Sequence, residues 1–124
     1  MILITGCREK PEAFFSSVTG LKQPHNPKIE VYHRDVSAGD IAAVIVMSVD
    51  NKYINYLQSG HPNWPGRGWQ TERPIIFTEN KYRADIMNYV NHADMWISSD
   101  FQDVSALLAI IKNDNIVILS YTTR

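Results

Sequence analysis

Cys7 is the only cysteine in the 124 residues, which excludes an internal disulfide, and the four histidines show no zinc-ligand spacing. Charge of one sign is missing as well. Twelve basic residues against 13 acidic ones leave a formal net charge of -1, so no global basic field draws the chain to nucleic acid or an anionic membrane. No apolar run approaches the ~20 residues of a membrane span. Met1-Ile2-Leu3-Ile4-Thr5-Gly6 has neither the basic start nor the long apolar stretch of a secretory leader. The expectation is a soluble cytoplasmic protein without membrane contact or a strong nucleic-acid signal, using neither metal nor other cofactor. Glycine and proline are few, six of each, and their densest cluster (Gly60, Pro62, Pro65, Gly66, Gly68) falls between Ser59 and Arg73.

What is there is an ordinary core-forming composition, 44% hydrophobic, in a length that suits a single domain over residues 1–124. Five short apolar runs each end in a polar cluster. Ile2-Leu3-Ile4 leads into Thr5-Gly6-Cys7-Arg8, and Ile29 to Tyr32 into His33-Arg34-Asp35. Ile41 to Met47 leads into Ser48-Val49-Asp50-Asn51, Pro74 to Phe77 into Thr78-Glu79-Asn80, and Met95 to Ile97 into Ser98-Ser99-Asp100.

Segments of helical character separate these runs. Pro11 suits a first helical turn and Gly20 a helix end; Lys52 to Gln58 puts Tyr53, Ile54 and Leu57 on one face before Gly60. Val36 to Asp40 reads as a turn or a short helical segment. Asn80 to Ala93 has one apolar stripe, and Ser99-Asp100-Phe101-Gln102 matches a capping box opening a helix through Val104, Leu107, Leu108 and Ile111, closed at Asn113. Asn115 to Tyr121 reads as a last strand of either direction. The alternation predicts an α/β fold: a small three-layer, Rossmann-like sandwich with a mainly parallel sheet of five or six strands. Ser59 to Arg73 is its one long irregular loop.

In such a sheet the polar clusters share the carboxyl edge, where ligands bind. Thr5, Gly6 and Arg8 there have the chemistry to hold a phosphate, or else form a plain strand-to-helix turn with Arg8 solvated. Asp50 can orient a sugar hydroxyl or accept a proton, and equally can cap the next helix, with Asn51 beside it. Glu79 pairs with Asp50 as a second catalytic carboxylate if their strands are neighbours; the alternative is a favourable charge in a first helical turn. Arg67 and Trp69, with His61 and Trp64, can stack a ring and hold an anion, or the loop can bury its tryptophans in its own core or a second subunit. Glu72 precedes the Pro74 strand and is expected at the opposite edge, solvated. Cys7 has no identifiable base and reads as a small buried thiol.

The opening Ile2-Leu3-Ile4-Thr5-Gly6-Cys7-Arg8 resembles the strand-then-TGSR start of the SLOG nucleotide-binding superfamily. Gly39 to Met47, Arg73 to Thr78 and Ala93 to Ile97 are similar to the core of nucleoside 2-deoxyribosyltransferase-like proteins. The resemblance implies a nucleotide or nucleoside ligand, with Asp50 as the substrate-orienting acid and N-glycosidic cleavage or transfer as the reaction. The nucleophilic Glu of that family has no counterpart in Lys52 to Gln58, which contains no acid. The alternative is a non-catalytic interaction or inhibitor protein that binds another protein through the Trp64–Trp69 loop; a homo-oligomer is a further expectation.

Overall fold

A computed structural model of the chain describes residues 9–66, 68–74 and 80–123. Helix α1 (Pro11–Thr19) starts on proline and ends at Gly20, whose φ of 75° is the left-handed conformation of a helix C-cap. Strands β1 (Lys28–Ser37) and β2 (Asp40–Ser48) follow, then α2 (Asn51–Ser59) and α3 (Arg83–Val90). The chain finishes as β3 (Met95–Phe101), β4 (Val104–Ile111), a 3-10 turn at Lys112–Asp114, and β5 (Ile116–Thr123).

The described strands form one five-stranded sheet in the order β1-β2-β5-β4-β3. Every neighbouring pair is antiparallel. This corrects the expectation of a mainly parallel, Rossmann-like sheet. The misreading has a physical origin. Continuous apolar strands usually mark a parallel sheet because helices cover both of its faces, and here helices cover both faces of an antiparallel one. On β2, Ala43, Ile45 and Met47 face α1 and α2 with Phe14, Phe15, Ile54 and Leu57, while Val44 and Val46 face α3 with Ile86 and Val90. β4 divides the same way, Ala106, Leu108 and Ile110 against Leu107, Ala109 and Ile111. The chain is a small α/β domain with a five-stranded sheet, all of whose described strand pairs are antiparallel.

The second correction is local. Ser99 to Gln102 does not cap a helix but carries β3 into a tight turn, with Gln102 at φ 49°, and Val104–Ile111 returns as a strand paired from Phe101↔Val104 to Met95↔Ile110. β1 and β2 likewise form a hairpin. Its turn residues Ala38 and Gly39 have φ of 53° and 85°, the paired positive values of the turn that best suits a two-residue hairpin loop.

In an antiparallel sheet the ends of successive strands do not share one carboxyl edge. Ser48 pairs with Lys28 and Ile116 at one end of the sheet, next to Asp50. Asp35, Ser37 and Asp40 lie at the other end, with Thr122, Thr123 and the Asp100–Val104 turn. Of the five polar clusters, those after Ile4 and Phe77 lie mostly outside the described residues, and the other three divide between opposite ends.

Candidate functional site

The loop from Ser59 to Arg73, expected to add Arg67 and Trp69 to the site, is a strap bound to the domain at Asn63, Trp64 and Trp69. Asn63 N–H donates to Thr19 O at 2.9 Å and the Trp64 indole N–H to Val18 O at 2.8 Å, so the loop satisfies carbonyls at the end of α1. Trp64 is 5% exposed within the core. The half-buried Trp69 packs against that core, and its indole N–H donates to Leu57 O at 2.9 Å, closing α2. Farther along, Gln70 exchanges two 2.8 Å backbone bonds with Trp96, and the Ser99 hydroxyl donates to Pro65 O at 2.8 Å, so the strap runs beside β3. Both loop tryptophans are therefore hydrogen-bonded within their own domain, Trp64 buried and Trp69 half-buried.

Of the other expected site residues, Thr5, Gly6, Arg8, Arg67 and Glu79 lie outside the described residues, as does Cys7. Asp50 pairs with Glu79 only if their strands are neighbours; β2 is hydrogen-bonded to β1 on one side and β5 on the other, and residues 75–79 lie outside the described residues. Asn80, from the same polar cluster, is a buried plug. Its amide donates to Ala43 O at 3.0 Å and to Ser120 Oγ at 3.2 Å, and its carbonyl accepts Tyr82 N–H at 2.9 Å. Glu72 is exposed, as expected.

Asp50 does the capping work, accepting Tyr53 N–H on Oδ1 at 2.7 Å. It also lines a cleft of about 400 Å3 between the first turns of α2 and the segment after α1, together with Lys22, Gln23, His25, Lys52, Tyr53 and Tyr56. Asn51, the exposed first residue of α2, stands next to it in the chain.

The cleft is assembled from local rules. Gly20 turns the chain out of α1, and Leu21 anchors it in the core. Two tyrosines of α2 then clamp the Lys22 backbone from both sides: Lys22 N–H donates to Tyr56 Oη at 2.9 Å, and the Tyr53 hydroxyl donates to Lys22 O. Three residues apart on one helix face, the two rings sit 5.4 Å apart. Burial, then the neighbouring Tyr56, pushes the Tyr53 phenol well above its ordinary value, so it stays a neutral donor. Lys22 Nζ lies 5.7 Å from the centre of the Tyr56 ring.

Lys52 breaks a local rule. It stands in the first turn of α2, which has no acidic residue, and a cation there opposes the positive end of the helix dipole. Departures of this kind are expected where function outweighs stability.

A second cleft of about 390 Å3 lies at the opposite end of the sheet, among Asp35, Asp40, Lys81, Thr122 and Thr123. Its polar groups largely satisfy one another. Lys81 is ion-paired with Asp35, and Thr123 Oγ1 accepts Ile41 N–H at 2.7 Å. Beside it, His33 stacks on Tyr82 and contacts Asp85 at 3.0 Å, tying β1 to the α3 region. No group of three His, Cys, Asp or Glu among the described residues is placed to hold a metal ion.

No protein-family model, no curated protein and no solved structure matches this chain. The site must therefore be read from its own chemistry. Asp50 is an expected site residue that lines this cleft; Lys22, His25, Lys52 and Tyr56, which line it too, are not among the expected ones. The available signal was Lys52, a lysine directly after the capping pair Asp50-Asn51 where an acid is the favourable choice.

Proposed function

We propose that the protein binds a small anionic molecule in the cleft between the Lys22–His25 segment and the start of α2. The observation that carries this reading is the pair of lysines on one aromatic-walled cleft. Neither Lys22 nor Lys52 has a carboxylate partner among the described residues, and Lys52 is placed against the helix dipole. The volume, about 400 Å3, falls in the range of small-molecule sites. Tyr56 supplies an apolar wall, and because its oxygen accepts the Lys22 N–H, its own hydroxyl proton is available to an acceptor. The clamp on the Lys22 backbone holds this side of the cleft before a ligand arrives, which lowers the ordering cost of binding.

Two small anions test the reading: inorganic phosphate and 3-phenylpropionate, titrated calorimetrically into the full chain. Saturable binding of at least one, weakened by added salt and lost in Lys22→Ala/Lys52→Ala, is expected. Binding unchanged in the double variant, or no saturable binding of any compound that carries a carboxylate or phosphate, overturns it. A helix dipole with Asp50 as its cap is present in both proteins, so the comparison isolates the lysines.

A further inference from the structure

The same cleft holds charges of both signs that do not neutralise one another. Asp50 commits Oδ1 to the helix cap at 2.7 Å, and no cationic side chain among the described residues lies within ion-pair distance of its carboxylate. Lys22 and Lys52 are equally without an acidic partner, although both line the cleft with Asp50. An occupant that is only an anion satisfies the lysines and is repelled by the carboxylate. An occupant that is only a cation meets the reverse. A molecule carrying both charges a few bonds apart satisfies all three groups, and the Tyr56 ring offers its body an apolar surface.

We infer that the ligand is a small zwitterion with an apolar body, of the class of a free α-amino acid with a large side chain. Its carboxylate lies toward Lys22 and Lys52, its ammonium on the uncommitted oxygen of Asp50, and its side chain against Tyr56. This rests on the anion-binding reading above and adds the second charge. Asp50 then has two roles on its two oxygens, one internal and one toward the ligand.

The test is a calorimetric series on the full chain with L-phenylalanine, 3-phenylpropionate (no ammonium), 2-phenylethylamine (no carboxylate) and inorganic phosphate. L-phenylalanine is expected to bind about tenfold or more tighter than either truncated compound, the worth of one charge-assisted hydrogen bond. Asp50→Asn keeps a good helix cap, so its melting temperature should stay near that of the parent while the preference for L-phenylalanine over 3-phenylpropionate disappears. If 3-phenylpropionate or phosphate binds as well as or better than L-phenylalanine, the zwitterion inference is wrong and the anion reading survives. If Asp50→Asn retains the full preference, the role given to Asp50 is wrong. Silence from all four compounds overturns both readings together.

Discussion

Replacing Trp64 with alanine removes an indole that is 5% exposed and whose N–H donates to Val18 O at 2.8 Å. Truncating a buried tryptophan costs about 3–5 kcal/mol, part from lost transfer and part from the cavity left behind. That is a large share of the ~5–15 kcal/mol that holds a typical domain together. The Val18 carbonyl belongs to the last turn of α1, where no further helical N–H is available, so it also loses its donor. Trp64→Phe separates the two contributions. It keeps most of the apolar ring and leaves that carbonyl unpaired, an expected loss of about 1–3 kcal/mol. Trp69→Ala should cost less than Trp64→Ala because Trp69 is only half-buried. Urea unfolding followed by circular dichroism measures all three. With a slope of about 1–3 kcal/mol per molar urea, the Trp64→Ala midpoint should fall by about 2 M at unchanged slope. A change within about 0.5 kcal/mol, the usual effect of a surface substitution, would show that the loop is not seated in the core. It would also return Trp64 to candidacy as an outward-facing anchor.

The other predictions concern the cleft and its supports. Lys52→Glu should stabilise the fold by about 0.3–1 kcal/mol, since an acid suits the first helical turn, while abolishing anion binding; a variant both more stable and fully binding would remove Lys52 from the site. Gly20→Ala should destabilise, because φ is 75° and the new Cβ would stand 2.8 Å from the Asn63 amide nitrogen, so an unchanged melting temperature would contradict the packing of the strap on α1. Burial, with Tyr56 second, holds the Tyr53 phenol above its ordinary 10.0, and burial raises Tyr121 in the same direction. The unfolded chain ionises these tyrosines first, so their contribution is intact below pH about 10 and declines as pH rises beyond it. Urea midpoints should fall over that alkaline range and fall less steeply in Tyr53→Phe; equal slopes would show that Tyr53 is not the group responsible.

Much of the secondary structure was legible because local signals agreed with the fold. Pro11 and Gly20 bound α1, Asp50 opens α2, and the apolar run from Ile41 marks β2, each near its expected position. Strand direction was not legible from the apolar runs, since burial on both faces leaves the same pattern in either orientation. The useful signal was Ala38-Gly39 between two strands, a two-residue hairpin loop that fixes β1 and β2 as antiparallel. Val104 to Ile111 misled for a related reason. A strand buried on both sides and rich in Leu and Ala has no period of two to display, and the turn before it uses Gln102 and not the glycine or asparagine that would announce a hairpin. Asp50 was legible as the cap of α2, since an acid before a helical pattern suits that position. Lys22 and His25 were not, because only the fold brings the segment after α1 beside that start.

Where a small molecule touches the protein is the most direct evidence of what the cleft does. Backbone amide chemical shifts of the isotopically labelled full chain, followed during titration with L-phenylalanine and with inorganic phosphate, measure this residue by residue. The predicted result is saturable movement concentrated at Lys22 to Asn26 and Asp50 to Tyr56, the two walls of the cleft. Shifts concentrated instead at Asp35 to Ala42 and Thr122 to Thr123, at the far end of the sheet, or no saturable shift with either compound, would contradict it.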